Sequence, residues 1–155
     1  MDKHLIPTTV EDVEYIAPRL READRQECTA ATGKDPLEIL KMSLLIGDIT
    51  LTLTATDGTR VGLLGVAKSP LPDAGVIWLC ATDDIYQYQM TFLRRSKKVL
   101  PKLLELYPVL HNAVDARNEL HIKWLKWMGF TFIKRHEEWG AEKRPFYEFV
   151  RIRNV

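Results

Sequence analysis

Glycine is missing from the middle of this chain. None occurs between Gly75 and Gly129, although the 155 residues include eight glycines. Turns in that interval must be built from residues with side chains. A phosphate cradle of the ordinary kind, in which bare backbone approaches the anion, is therefore excluded there. Cysteine is nearly missing too: Cys28 and Cys80 are too few for a disulfide framework. They fall in different expected elements and read as reduced, mostly buried thiols. His4, His111, His121 and His136 are scattered, with no metal-ligand spacing. No apolar run reaches the ~18 residues that suggest a membrane span. Met1 to His4 leads straight into Leu5-Ile6, without the apolar stretch of a signal peptide. A cytosolic location is expected. Charge of one sign is also lacking: 22 Lys and Arg face 21 Asp and Glu, for a net +1. No global field draws in nucleic acid or a membrane, so any anion site must be a local patch.

What is present is ordinary in bulk and organised in detail. Hydrophobic residues make up 46% and charged residues 28%, as in a soluble globular protein. The length suits one domain over residues 1–155, with no repeat, linker or low-complexity segment. Leu5-Ile6 is a short strand. Thr8 and Glu11 have capping-box spacing, so a helix starts there, with Val10, Val13, Ile16 and Ala17 on its apolar side. Pro18 divides it from a second piece that ends at Gly33. Asp35-Pro36-Leu37-Glu38 starts another helix, stopped by Gly47.

Ile49, Leu51 and Leu53 alternate with threonines, which predicts a half-buried strand. Asp57-Gly58 signals a hairpin to Val61–Ala67. Gly75 to Ala81 is nearly all apolar and suits a central strand covered on both faces. A long helix follows over about Gln89–Tyr107, with Pro101 expected to bend or split it. Arg94, Arg95, Lys97, Lys98 and Lys102 form its basic side. Val109–Ala116 is a strand, Glu119–Met128 a helix stopped by Gly129, Phe130–Ile133 a strand, and Phe146–Ile152 a final strand. The order predicts an α+β (α/β/α) fold with a mixed, mostly antiparallel central sheet flanked by helices. Of the late aromatics, Trp127 and Trp139 are expected to be an exposed pair marking a protein interface.

The stretch from Asn118 through His121, Trp124 and Leu125 to Gly129-Phe130 resembles the segment after the fifth strand of GNAT (GCN5-related) N-acetyltransferases. There an Asn precedes a helix that ends in Gly-Phe at the sixth strand. The element order of nearly the whole chain fits the same family. A narrower resemblance is to a family of short-tailed bacteriophages that includes an internal virion (assembly) protein and relatives called acetyltransferases. It is carried by Ile6-Pro7-Thr8 with Asp12, by Ala81-Thr82-Asp83-Asp84 with Arg94 to Lys98, and by Asn118 with His121 to Lys126 and Gly129.

The resemblance implies acetyl-CoA as co-substrate and an amine as acceptor. The pantetheine arm would lie in a gap between the fourth and fifth strands, along Leu79, Cys80, Ala81 and Thr82, with Asn118 and Trp124 nearby. The pyrophosphate would sit at the start of the following helix, where Arg94, Arg95 and Lys97 are the available cations. Two departures stand out. The signature of Arg or Gln, two residues, Gly, one residue, then Gly or Ala is replaced by Gln87 to Phe92 without a glycine. The family's proton-donating Tyr, seven residues after the Asn, is Leu125. Asp115 and His121 remain as candidates for proton transfer, with Asp83 and Asp84 as further carboxylates. Cys80, lacking a paired His, reads as core. Two functions follow: a phage-encoded acyl-CoA-dependent N-acetyltransferase with a degenerate CoA pyrophosphate loop, or a non-catalytic protein of virion assembly. The second would be found in the host cytoplasm or the virion and bind a virion or host partner. A third possibility is a phage factor that binds a host protein through the basic helix.

Overall fold

The computed structural model describes residues 4–154; the leader reading made on Met1 to Lys3 lies outside them. Its helices begin where side chains take up free N–H groups. Thr9 caps α1 (Val10–Ile16), its hydroxyl accepting from the Asp12 N–H while the Asp12 carboxylate accepts from the Thr9 N–H. The box expected at Thr8 and Glu11 is thus shifted by one residue. The cause is tertiary: Asp12 also accepts from the Thr52 hydroxyl and from Arg60 Nε on the sheet. That contact buries Thr52 completely, so the strand expected to be half-buried is covered on both faces there.

Pro18 does end the first helix, but inside a 3₁₀ turn over Ala17–Arg19. The next helix, α2, runs from Glu22 to Thr32, and Gly33 closes it at φ 72°. Asp35 caps α3 (Pro36–Ile46) as its sequence implies. Helix α4 (Ile85–Leu106) is continuous through Pro101, an exposed residue. Its break in helical dihedrals is at Tyr88 instead, with φ −123° and ψ 18°. Helix α5 spans Glu119–Trp127, and Gly129 follows at φ 89°.

The strands are β1 (Leu5–Pro7), β2 (Ile49–Thr54), β3 (Arg60–Lys68), β4 (Ala74–Ala81), β5 (Val109–Asp115), β6 (Thr131–Trp139) and β7 (Arg144–Ile152). They form one seven-stranded sheet in the order β1-β2-β3-β4-β5-β7-β6. Every neighbouring pair is antiparallel except β4 and β5, which α4 joins as a crossover. Successive residues of β3 point to opposite faces and enter different cores. Leu63 packs with Val13, Ile16, Leu40 and Cys80 under α1 and α3. Leu64 packs with Phe92, Leu103, Trp124 and Leu125 under α4 and α5. The expected mixed, mostly antiparallel sheet between helices is what forms, and Cys80 is core as expected. No helix among the described residues is long and apolar enough to cross a membrane.

Candidate active site

One seam in the sheet is only half closed. Parallel pairing joins Ala74–Val76 to Val109–His111 and then stops. Asn112 stops it. Its carboxamide donates to the Ile77 carbonyl at 2.8 Å and accepts from the Ala113 N–H at 2.8 Å. One side-chain amide thus takes the place of a ladder step, and beyond it the strands part. Two N–H groups in the parted segments are claimed by α2. Asp24 Oδ2 accepts from the Ala81 N–H at 2.9 Å, and Glu27 Oε1 accepts from the Asp115 N–H at 2.8 Å. Residues three apart on a helix share a face, so a single turn of α2 reaches both strands.

A polar cluster surrounds these carboxylates. Arg21 donates to Asp24 at 3.0 Å and through Nε to the Tyr86 hydroxyl at 3.1 Å, while its N–H bonds the Ala81 carbonyl at 2.9 Å. Asn118 donates to Asp24 at 2.9 Å and to Glu27 at 3.4 Å. Burial alone would weaken the charge on Arg21, but Asp24 and Tyr86 outweigh it and hold the guanidinium more firmly protonated. Glu27 is pushed the other way. Enclosure by protein raises its pKa most, Asp24 and Asp115 add to this, and the result is about 8 despite the bonds from Asp115 and Asn118. His121 is held neutral by burial, against the pull of Asp24. Its Nε2 lies 3.2 Å from Asp24 Oδ1 without the alignment of a hydrogen bond. Near neutral pH the cluster therefore holds one cation, one anion, a largely protonated Glu27 and a neutral imidazole, a balance that makes its burial tolerable.

Two spaces meet at Glu27. Inside the parted seam, beside Leu79, Asn112, His121 and Leu125, the void is about 30 Å³, room for roughly one water. On the α2–α3 side lies a cavity of about 270 Å³, bordered by Glu27, Trp78, Leu79, Trp139 and Phe146 among others. Gly65 shapes it: a Cβ there would meet the Trp78 indole at 2.2 Å, so only glycine lets the ring lie across β3. The β6–β7 turn closes the far side. Gly140 packs against the end of α2, and the Ala141 and Glu142 N–H groups donate to the Ala31 and Ala30 carbonyls at 3.2 and 3.0 Å.

The expected site residues divide in two. Leu79, Cys80, Ala81 and Thr82 run along the parted end of β4, and Asn118 and His121 join the cluster. The Asp115 backbone belongs to it as well, but its carboxylate turns to Arg117 at 2.7 Å. Trp124 lies in the core, with its ring centroid 5.1 Å from both Phe92 and His121. Neither Phe92 nor Trp124 borders the void in the seam. Arg94, Arg95 and Lys97 are far along α4 rather than in its first turns, since the helix begins at Ile85. Arg95 borders a groove with Leu5, Ile49 and Leu51, and Lys97 covers Trp127 at 4.5 Å. Trp127 is therefore a surface ring under a lysine and Trp139 a cavity wall, each in its own setting. The turn at Thr82–Thr91 contains no Gly, Lys or Arg. Its kink at Tyr88 borders a concavity of about 280 Å³, where Met90 is exposed and Phe92 buried.

Arg21, Asp24, Glu27 and Asn112 were not singled out by the sequence. The one hint was their spacing: Asp24 and Glu27 follow Arg21 at intervals of three and so share a helix face with it. No group of His, Cys, Asp and Glu among the described residues is arranged to hold a metal.

No protein-family model matches the chain, and no curated protein matches it by sequence. Solved structures match its fold. Ard1 from Thermoplasma volcanium superposes with a TM-score of 0.72 at 17% identity, over 97% of this chain and 97% of that one. A GCN5-related N-acetyltransferase from Kribbella flavida gives 0.70 at 16% identity over 96% of each chain. A Bacillus subtilis acetyltransferase in complex with CoA gives 0.68 at 11% identity over 97% of each. At such identities the likeness is one of architecture: the chain has the GNAT fold.

Proposed function

We propose that this chain is a phage-encoded acyl-CoA-dependent N-acyltransferase with a degenerate pyrophosphate turn. The observation that carries the reading is Glu27, a carboxyl group with a pKa of about 8 at the junction of the parted strands and a cavity of about 270 Å³. A general base works best when its pKa lies near the operating pH. In this reading the acceptor amine enters from the cavity and gives its proton to Glu27. Its nitrogen then attacks the thioester carbon, the acyl–sulfur bond breaks, and the thiolate leaves. Leu125 cannot protonate that thiolate. Tyr86, whose hydroxyl accepts the Arg21 hydrogen bond, is the phenol that the cluster offers in its place. The phosphates would meet backbone N–H groups at the Tyr88 kink, in a turn without glycine, lysine or arginine of its own, so recognition there is weak and the binding energy comes from the pantetheine arm.

Calorimetry with acetyl-CoA and thiol-release kinetics with a panel of amines test this. Measurable binding and turnover are expected, and Glu27→Gln should lower kcat by about 10²–10⁴-fold, the usual worth of a positioned base. No binding at millimolar acetyl-CoA, together with no thiol release, would sink it.

A second reading is favoured by one observation. The parted seam holds only about 30 Å³ and two of its N–H groups are already bonded to α2, which suits a retired site in a protein of virion assembly. The phage resemblance supports either reading. If purified particles and assembly intermediates lack the chain, and its deletion leaves virion yield unchanged, the second reading fails.

A further inference from the structure

Resting on the transferase reading, we infer that the acceptor is a small hydrophobic monoamine, an ammonium carried on an apolar or aryl body, with its nitrogen at Glu27. The walls of the cavity set the body. Leu20, Ile39 and Leu40 present aliphatic surface, and Trp78, Trp139 and Phe146 present rings. Burying apolar surface there is favourable, and aromatic faces also attract a cation.

The polar inventory sets the head group. Two carboxylates border the cavity, both from α2. Asp24 is committed to the Ala81 N–H, Arg21 and Asn118. Glu27 spends only Oε1, on Asp115 and Asn118, and no described residue donates to Oε2. One acceptor for one ammonium therefore remains. The rest of the polar lining includes Cys28, Thr32 and Ser43, all neutral, so the second ammonium of a polyamine would find no free carboxylate there. No Lys, Arg or His among the described residues borders the cavity. An amino acid or a phosphorylated amine would bury an unpaired anion there. A volume of about 270 Å³, just under the ~300 Å³ at which small-molecule sites begin, suits a small acceptor.

The pH dependence follows from the groups that face Glu27. Asp24 and Cys28 face it from α2, Asp115 from the end of β5, Arg117 from just beyond it and Cys80 from β4, and His121 borders the same void. Below pH 8 the ammonium must displace the Glu27 proton, so affinity should rise about tenfold per pH unit up to about 8. It should then level off until the amine itself loses its proton.

The test is binding of 2-phenylethylamine, 2-phenylethanol, spermidine and phenylalanine to the full chain, followed by tryptophan fluorescence across pH, with thiol release from acetyl-CoA measured in parallel. 2-Phenylethylamine should bind about tenfold or more tighter than the other three, the scale of a hydrogen bond to a charged group. Its pH rise should vanish in Glu27→Gln. A second variant, Ser43→Asp, supplies the missing rim carboxylate and should raise affinity for 1,5-diaminopentane about tenfold. Equal binding of 2-phenylethanol, preference for spermidine or phenylalanine, or no gain in Ser43→Asp each overturns the inference. Thiol release with spermidine but not 2-phenylethylamine overturns it while leaving the transferase reading intact. Selective 2-phenylethylamine binding without thiol release leaves the ligand class standing and removes the transferase.

Discussion

The β4–β5 seam is held in two ways along its length. At the closed end, Ala74–Val76 meets Val109–His111 backbone to backbone. At the open end the same strands are joined through side chains: the Asn112 amide, then Asp24 on one strand and Glu27 on the other. A backbone ladder has no member that titrates and none that a substitution can delete. Carboxylates from a neighbouring helix have both properties. They cost desolvation, which Arg21 and Asn118 offset, and in return they keep a polar slot open in the middle of a sheet. The closed end should therefore be insensitive to pH and to the loss of a side-chain hydrogen bond. The open end should respond to both.

The largest separation between the two ends is expected from Glu27→Gln. Glu27 has a folded pKa of about 8 against 4.5 unperturbed. Between those values the unfolded chain gives up the proton and the folded chain keeps it. Folding should therefore weaken as pH rises through that window, by ~1.4 kcal/mol per unit and roughly 4–5 kcal/mol in all. Below pH 4.5 both states are protonated and the contribution is fully present. Gln cannot titrate, so the variant should gain on the parent by that span between pH 4 and pH 9 in urea denaturation. Asp12, whose carboxyl is held below its usual value by Arg60 and Thr9 despite burial, acts oppositely at acid pH. It is present in both proteins and cancels. A stability difference that does not change with pH would mean that Glu27 titrates normally and the open end is wetter than its geometry suggests.

Asp24→Ala comes next. Arg21 is 5% exposed and Asp24 is 4% exposed, so the substitution leaves a buried guanidinium without its carboxylate and an Ala81 N–H without its acceptor. Breaking a buried pair in this way costs about 3–5 kcal/mol. Urea denaturation measures it. A loss under about 1 kcal/mol would show that water replaces the carboxylate and that the cluster does not join the strands.

How far the sequence reached follows the same division. The elements were legible because local chemistry specifies them: Asp35-Pro36 opening a helix, Gly33 and Gly129 at positive φ, and the apolar run of β4. The sheet's mixed character was legible from element order. The failures were tertiary. Thr9 rather than Thr8 caps α1 because Asp12 must also reach Thr52 and Arg60, on strands more than thirty residues away in the chain. Of the polar cluster, Asn118 and His121 could be named beforehand because they lie in a recognisable segment. Glu27 was not, since its meaning depends on the Asp115 N–H, 88 residues away. Nor was Asn112, because an Asn inside a strand pattern says nothing about which carbonyl its amide will meet. The basic run was over-read for the opposite reason. Its charge was plain, but only the helix start at Ile85 shows that it begins nine positions later, away from the turn.

The smallest effect, and the one that separates the two ends most directly, is expected from Asn112→Ala. It removes two hydrogen bonds and leaves the Ala113 N–H and Ile77 carbonyl without partners, a loss of about 1–3 kcal/mol. Amide exchange then reads the seam residue by residue. The Ala113 N–H should lose protection, while the amides of the paired segment from Ala74 to Val76 should keep theirs. Ser69→Ala is the matching substitution at the closed end, where the Ser69 hydroxyl meets His111 Nε2 at 2.7 Å. It removes that bond and the one the Ser69 hydroxyl accepts from the Leu71 N–H, beside strands that the backbone already holds, so exchange from Ala74 to Val76 should not change. If Asn112→Ala instead raises protection beyond Val76, the strands have zipped together. The Asn112 amide would then be the wedge that keeps the seam open, with the carboxylates of α2 only lining what it opens.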